Sequence, residues 1–182
     1  MKHIIHKLYW NYEREEKWLN DMSAKGLALI DYSVSRYVFE DCNPGEYIYR
    51  IELLENWPSH PESKKYIGFM EENGVEHITS YMRWVYFRKK ASDGEFNIYS
   101  DIDSRIKHYQ RVSTLYTILF IMNAINCINM FSQFFTFNDL SYILTFPAGC
   151  LCLAVSLGLL SLALPLWIKI GKLKKEKKIR DE

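Results

Sequence analysis

The 182-residue sequence contains only four cysteines, and their spacing suits neither a zinc site nor a disulfide framework. It lacks a glycine-rich phosphate loop, a GxSxG nucleophile elbow and an HExxH metal motif. Its five histidines are scattered, and His3 and His6, the one close pair, would point to opposite faces of a strand. These absences predict a protein that is not an enzyme and that uses no metal ion or other cofactor.

Charged residues are also absent from two long segments in the second half of the chain. Residues 112–135 and 142–168 contain no Asp, Glu, Lys or Arg, and each segment exceeds the ~20 apolar residues that a membrane-spanning helix needs. We therefore predict two transmembrane helices over these ranges. The neighbouring segments are predicted to be a juxtamembrane helix at 101–111, an external loop at 136–141 and a basic cytoplasmic tail at 169–182.

The distribution of charge gives an orientation for these helices. Residues 1–100 carry 13 Lys or Arg and 16 Asp or Glu, whereas residues 101–182 carry 10 and 6. The basic residues of the second half precede the first span or follow the second, and the loop between them has none. The positive-inside rule then places both termini in the cytoplasm of a two-pass protein of the cell membrane. The basic tail is expected to contact anionic lipid headgroups.

Polar and small residues inside the two apolar segments suggest how the helices pack. Asparagine recurs every third residue in the first segment, and small residues share one face of the second. We predict that they pack helix against helix, in a hairpin or in a homo-oligomer of hairpins. A polar path for a transported solute is the alternative. The residues concerned are Asn123, Asn126, Asn129, Ala154, Gly158 and Ser161.

The first hundred residues contain an internal repeat with a period of 48 residues. EKWLNDMSAKG at 16–26 is echoed by KKYIGFMEENG at 64–74, and the strand-like RYVFE at 36–40 aligns with WVYFR at 84–88. Each copy predicts a strand, a helix and two more strands, with Gly26 or Gly74 ending the helix. The sequence thus predicts an α+β domain, duplicated over about 1–45 and 46–100, with an antiparallel sheet and helices on one face.

Alternation along the two aligned strands indicates which residues face away from the helices. Tyr37 and Phe39 match Val85 and Phe87, which are expected to face the helices. The intervening residues are large or charged, so they need a ligand, the juxtamembrane helix or a second subunit to cover them. The candidate ligand-binding residues on this face are Arg36, Trp84, Tyr86 and Arg88.

The strings EEKWLNDMSAKG, RYVFE, PGEYIYRIELL and SDIDSRIKHY together resemble a bacterial membrane-protein family, the domain of unknown function 2812. Genes of that family often lie beside those of PadR-type transcriptional regulators. The resemblance implies the plan of one domain followed by two spans, and it supplies no catalytic or binding residue. The repeated architecture also looks like that of GyrI-type domains, which bind varied small molecules between two pseudo-symmetric copies.

The sequence therefore predicts a membrane-anchored cytoplasmic module that binds a small molecule or a protein. Such a module would be a sensory or accessory component of a regulatory or stress-response system. The alternative is a small transport subunit or an oligomeric channel built from the transmembrane hairpin. No nucleic acid is expected as a partner, because the domain that carries the mixed basic and aromatic stretch SYMRWVYFRKK has a net negative charge.

Overall fold

The computed structural model describes residues 1–99, 101–136 and 145–181. The chain divides into two compact units, Met1–Ser100 and Asp101–Glu182, which we call the N-terminal domain and the helical pair. The external loop predicted at 136–141 falls outside the described residues except for residue 136. Residues 142–144 of the predicted second span also lie outside them.

The N-terminal domain consists of two modules with the same order of elements. The first module is β1 (Lys2–His6), α1 (Tyr12–Ala24), β2 (Leu27–Ser33) and β3 (Arg36–Asp41). The second is β4 (Tyr47–Leu53), α2 (Pro61–Glu72), β5 (Glu76–Tyr81) and β6 (Trp84–Lys90), followed by a short 3₁₀ helix at Ala91–Asp93. The predicted α+β class and the repeated strand, helix, strand, strand order are confirmed.

The six strands form two three-stranded antiparallel sheets, with strand orders β1-β3-β2 and β4-β6-β5. The sequence predicted one sheet. β2 lies beside β5, but both strands contain a register shift, between Leu29 and Asp31 in β2 and between His77 and Thr79 in β5. A bulge bends a strand and interrupts its ladder of hydrogen bonds. These two irregularities explain why the neighbouring strands do not pair into one sheet.

The ends of the two helices are fixed by local signals. Asn11 caps α1, because its Oδ1 accepts hydrogen bonds from two backbone N–H groups of the first turn. Gly26 and Gly74 follow the helices with φ of +80° and +78°, as predicted. The cap of α2 is His60, whose Nδ1 accepts a hydrogen bond from the N–H of Glu62. Proline at the first helical position sets this boundary.

Side chains of α1 bond to the free edge of β4, the outer strand of its sheet. Asn20 Oδ1 accepts from the N–H of Tyr49 at 2.9 Å, and Asn20 Nδ2 donates to the carbonyl oxygen of Tyr49 at 3.1 Å. Ser23 Oγ donates to the carbonyl oxygen of Tyr47 at 2.7 Å. Backbone groups on an uncovered edge would otherwise need water or another chain. α1 therefore closes this edge of the second sheet.

Glu16 extends the same row of contacts by one turn. Its Oε2 accepts from the N–H of Ile51 at 2.9 Å, and its Oε1 lies 3.4 Å from Nη1 of Arg50. Burial raises the pKa of Glu16, and the hydrogen bond from Ile51 and the charge of Arg50 oppose this shift. The first helix is consequently joined to the second module through its polar side.

The apolar cores show that the second sheet is covered on both faces. Val85 and Phe87 of β6 share a buried cluster with Met70 of α2, so α2 covers their face. Tyr86, on the opposite face of β6, shares a cluster with Leu19 of α1. That cluster spans both modules and contains Leu19, Met22, Leu29, Tyr37, Phe39, Tyr49, Ile51 and Tyr86.

The helical pair consists of α3 (Ile102–Thr136) and α4 (Thr145–Asp181), both long and apolar enough to cross a membrane. α3 contains the predicted juxtamembrane helix and the first span without interruption. α4 continues from the second span through the basic tail. At the charged end of the pair Ile106 packs against Ile170 and Leu173, and Lys177 Nζ lies 2.8 Å from both carboxylate oxygens of Asp103.

Candidate functional site

Three tyrosine rings from different strands meet where the two modules join. Tyr32 of β2 lies 4.6 Å from Tyr37 of β3 and 4.8 Å from Tyr86 of β6, measured between ring centroids. Tyr81 of β5 approaches Tyr32 edge-on at 5.9 Å. Tyr37 and Tyr86 are buried, whereas Tyr32 is half-buried. The junction is therefore lined by aromatic rings from both modules.

A carboxyl group of α1 lies at the centre of this junction. Glu15 is 7% exposed, and its Oε1 accepts a hydrogen bond of 2.7 Å from the hydroxyl of Tyr37 and another of 2.7 Å from the hydroxyl of Tyr86. Its second oxygen, Oε2, has no hydrogen bond to a described residue. One oxygen of Glu15 thus links the two modules. We call Glu15, Tyr32, Tyr37 and Tyr86 the acidic tyrosine site.

The electrostatics of the acidic tyrosine site follow from burial. Removal of the Glu15 carboxyl from water raises its pKa, and the two tyrosine hydrogen bonds lower it by less. Burial, followed by the negative charge of Glu15, raises the pKa of Tyr37 and Tyr86. Among the described residues, no Lys, Arg or His forms an ion pair with Glu15. The Glu15 carboxyl group therefore has no compensating cation among the described residues.

The position of Glu15 on α1 explains both its burial and its residual tendency to ionise. It lies four residues before Leu19 and seven before Met22, on the stripe of α1 that faces the core. It also lies in the first turn of the helix, where the macrodipole favours a negative charge. The helix therefore carries a carboxyl group into an apolar junction and partly supports its charged form.

The four predicted ligand-binding residues lie in four different surroundings. Tyr86 belongs to the acidic tyrosine site and is 3% exposed. Trp84 is half-buried, with its ring 5.3 Å from that of Tyr12. Arg36 is half-exposed, and its guanidinium lies 3.7 Å from the carboxylate of Asp31.

The fourth predicted residue, Arg88, ties strands together. Its Nε donates to Glu76 at 2.7 Å, its Nη1 donates to the carbonyl oxygen of Leu29 at 3.1 Å, and its guanidinium lies 4.3 Å from the ring of Tyr47. These contacts link β6 to β5 and β2. Ligand binding by the four residues stays a prediction.

One premise of that prediction is wrong. The sequence placed Tyr86 on a face that no helix covers, whereas α1 of the first module lies over it and hydrogen-bonds to its hydroxyl. Alternation gives the face of a residue correctly, but it cannot say which face receives a helix from the other module. The large residue at this position required a partner, and that partner is Glu15.

Glu15 itself was missed by the sequence analysis. A signal was present, because its spacing to Leu19 and Met22 puts a charged residue on the apolar stripe of the helix. A carboxyl group at such a position is buried only with partners. Among the described residues, no group of three or more His, Cys, Asp or Glu is arranged to hold a metal ion.

In the helical pair, one predicted packing residue joins the two helices. Asn123 Nδ2 donates to the carbonyl oxygen of Cys152 at 2.6 Å and to Ser156 Oγ at 2.8 Å. Asn126 is exposed and donates to the carbonyl oxygen of Met122 in its own helix. Asn129 is exposed as well. Only the first asparagine of the row faces α4, because a three-residue spacing drifts around a helix of 3.6 residues per turn.

The small residues of α4 do not face α3. Ala154, Gly158 and Ser161 are exposed, and a Cβ added to Gly158 would meet nothing within 4 Å. The helices approach closely at Gly149 instead, where an added Cβ would lie 3.2 Å from the ring of Phe131. Of the two predicted arrangements, the exposure of these residues disfavours packing within the hairpin, and packing between hairpins stays a prediction.

Comparison with known proteins identifies one family. Residues 11–121 match the model of the family described as protein of unknown function (DUF2812). The chain matches no curated protein and no solved structure. The matched region includes all of α1, both sheets apart from β1, and the first part of α3. This chain belongs to the DUF2812 family.

Proposed function

We propose that this protein is a membrane-anchored, non-enzymatic binding module that holds a ligand at the acidic tyrosine site. The observation that carries the proposal is Glu15, a buried carboxyl group whose Oε1 accepts hydrogen bonds from a tyrosine of each module. A buried, uncompensated carboxyl group costs stability, and such groups are common at functional sites.

The helical pair supports the membrane part of this proposal. Many large apolar side chains on α3 and α4 are exposed, which would be costly in water. In a lipid bilayer the same apolar side chains would contact hydrocarbon, so their exposure would carry no such cost. Those exposed by at least half include Ile118, Ile121, Met122, Ile125, Ile128, Leu151, Leu157 and Ile168. We propose a two-pass protein of the cell membrane with both termini in the cytoplasm and with the basic tail near anionic headgroups.

We also propose that the two modules arose by duplication. They share the order of elements, the strand order within the sheet, the position of the bulge and the glycine after the helix. A domain of this kind, tethered to the membrane and free of predicted catalytic motifs, would serve as a sensory or accessory component of a regulatory or stress-response system.

Hydrogen exchange on the full chain in detergent micelles tests the binding function. The protein-free small-molecule fraction of a cell extract is added, and protection is followed in α1, β3 and β6. We expect slower exchange in these elements, and a smaller effect in the variants Glu15→Gln and Tyr86→Phe. Unchanged exchange in the wild type would contradict a ligand-binding function at this site.

A pore formed by several hairpins is the second candidate. It is favoured by the exposure of Asn126 and Asn129 on α3, because amide side chains are costly against lipid. Replacement of both by leucine separates the alternatives. Lost solute flux with intact assembly would support a pore, and weakened assembly without any flux in the wild type would support packing between subunits.

A further inference from the structure

Three connecting segments meet at one end of the N-terminal domain. The β1–α1 loop lies beside the β2–β3 turn, because the N–H of Lys7 donates to the carbonyl oxygen of Ser35 at 2.8 Å. The rings of Tyr12 and Trp84 lie 5.3 Å apart, which brings the start of α1 next to the β5–β6 turn. The ring contact between the ends of β2 and β5, described above, places the two turns side by side. Both modules therefore contribute to the same end of the domain.

Each of these three segments exposes large apolar side chains. Leu8 and Trp10 of the β1–α1 loop are 57% and 72% exposed. Val34 of the β2–β3 turn and Met82 of the β5–β6 turn occupy the same position of the repeat, and each is 58% exposed. We call these four residues the apolar tip. Neighbouring exposed apolar side chains mark a surface that contacts a membrane or another protein.

Met82 is not explained by the turn that holds it. Its φ is +54°, in the left-handed region that glycine, asparagine and aspartate adopt with least strain. A two-residue hairpin turn gains nothing from a long apolar side chain at such a position. The side chain is also too exposed to contribute to a core. A strained and exposed methionine points to a contact outside the domain.

The charges beside the apolar tip favour an anionic lipid surface over a second copy of the domain. Lys7, directly before Leu8, is exposed, and its ammonium lies over aromatic rings, 4.9 Å from each centroid. Arg83, directly after Met82, donates to the carbonyl oxygen of Leu54, a neutral group that does not cancel its charge. Anionic headgroups attract such cations. A symmetric contact between two copies would instead bring the same cations close together.

Trp10 completes the chemistry of an interfacial contact, because tryptophan combines an apolar ring with a polar N–H and is enriched where hydrocarbon meets headgroups. We propose that the apolar tip inserts into the interfacial region of the anionic membrane that holds the helical pair. The N-terminal domain thereby gains a second attachment to the bilayer, through Trp10 and the apolar residues around it. The inference rests on the membrane anchoring proposed above and is independent of ligand binding at the acidic tyrosine site.

Fluorescence quenching by brominated lipids tests this contact. The full chain is reconstituted in nanodiscs of phosphatidylcholine and phosphatidylglycerol, with or without bromine atoms on the acyl chains, which quench tryptophans at the membrane. Trp167 of α4 reports on the anchoring of the helical pair, and the difference between the wild type and Trp10→Phe reports on Trp10. We expect the quenched intensity to fall by about half in Trp10→Phe, because Trp10 and Trp167 would then be the two tryptophans in contact with lipid.

Trp57→Phe is the matched control. Trp57 lies in the corresponding loop of the second module and is 56% exposed, but it is close in sequence to Glu55 and has no Lys or Arg beside it. We expect this variant to keep the quenched intensity of the wild type. An equal loss in both variants, no loss in Trp10→Phe, or the same Trp10 quenching in phosphatidylcholine alone overturns the inference. If acrylamide in the water also fails to quench an unquenched Trp10, a protein covers the apolar tip instead. Absence of all quenching, that of Trp167 included, overturns the membrane anchoring as well.

Discussion

The closure of the β4 edge by α1 leads to a quantitative prediction for Asn20. Asn20→Ala leaves the backbone N–H and carbonyl oxygen of Tyr49 without their partner. Each backbone group is partly buried, so the loss of its hydrogen bond to Asn20 costs about 1–1.5 kcal/mol. Alanine returns roughly 0.6 kcal/mol through its higher helix propensity. The net destabilisation is about 2 kcal/mol, which corresponds to a roughly 30-fold larger population of opened molecules.

Hydrogen exchange of the Tyr49 amide in the full chain measures this effect directly. We expect exchange about 30-fold faster in Asn20→Ala than in the wild type. Asn73→Ala is the matched control, because the exposed side chain of Asn73 makes one hydrogen bond, to the carbonyl oxygen of Phe69 in the helix that it follows. If the two variants exchange alike at Tyr49, the idea that α1 stabilises the second module through Asn20 is refuted.

Three further predictions concern other parts of the molecule. Because burial raises the pKa of Glu15 above its ordinary value of 4.5, the folded wild type should lose stability as the pH rises through the raised pKa, and Glu15→Gln should remove that slope in pH-dependent melting. Gly26→Ala should destabilise more than Gly74→Ala in chemical denaturation, since both have positive φ but a Cβ at Gly26 would also lie 2.9 Å from a backbone oxygen. Asn123→Leu should weaken association of separately expressed helices by about 0.6–2 kcal/mol, whereas Asn126→Leu should not.

The elements of the fold were readable from the sequence because their signals are local. Asn11, Gly26 and Gly74 act through hydrogen bonds and backbone angles within a few residues of their own positions. The division of the strands into two sheets depends on bulges in β2 and β5, and one irregular residue in a short strand leaves no clear pattern. Rules that use neighbouring residues therefore predicted the helices and strands of each module correctly. They did not predict how the two modules pack against each other.

The same limit explains the outcome for the candidate site. Tyr86 was predicted as a ligand-binding residue because a large aromatic side chain on a strand face needs something packed against it. That reasoning uses only the sequence around Tyr86. Its partner Glu15 is 71 residues away in sequence and belongs to the other module. Its burial depends on where α1 docks, which follows from hydrogen bonds between Asn20 and the β4 backbone. The sequence could have indicated that this face of α1 is buried against the other module only if Glu15 had been recognised as a polar residue on the apolar stripe of the helix.

The two modules are equivalent in topology, but the acidic tyrosine site occurs only once. At the 48-residue offset, the positions that match its four members hold no acid and no tyrosine: Ser63 for Glu15, Ser80 for Tyr32, Val85 for Tyr37 and Val38 for Tyr86. Two equivalent sites would require α2 to dock on the first sheet as α1 docks on the second, whereas α2 covers the outer face of its own sheet. The asymmetry of helix docking therefore gives one such cluster per chain, so the proposed binding function predicts one bound ligand per chain. A stoichiometry of two would mean that the shared topology, and not the particular residues at the junction, creates the site.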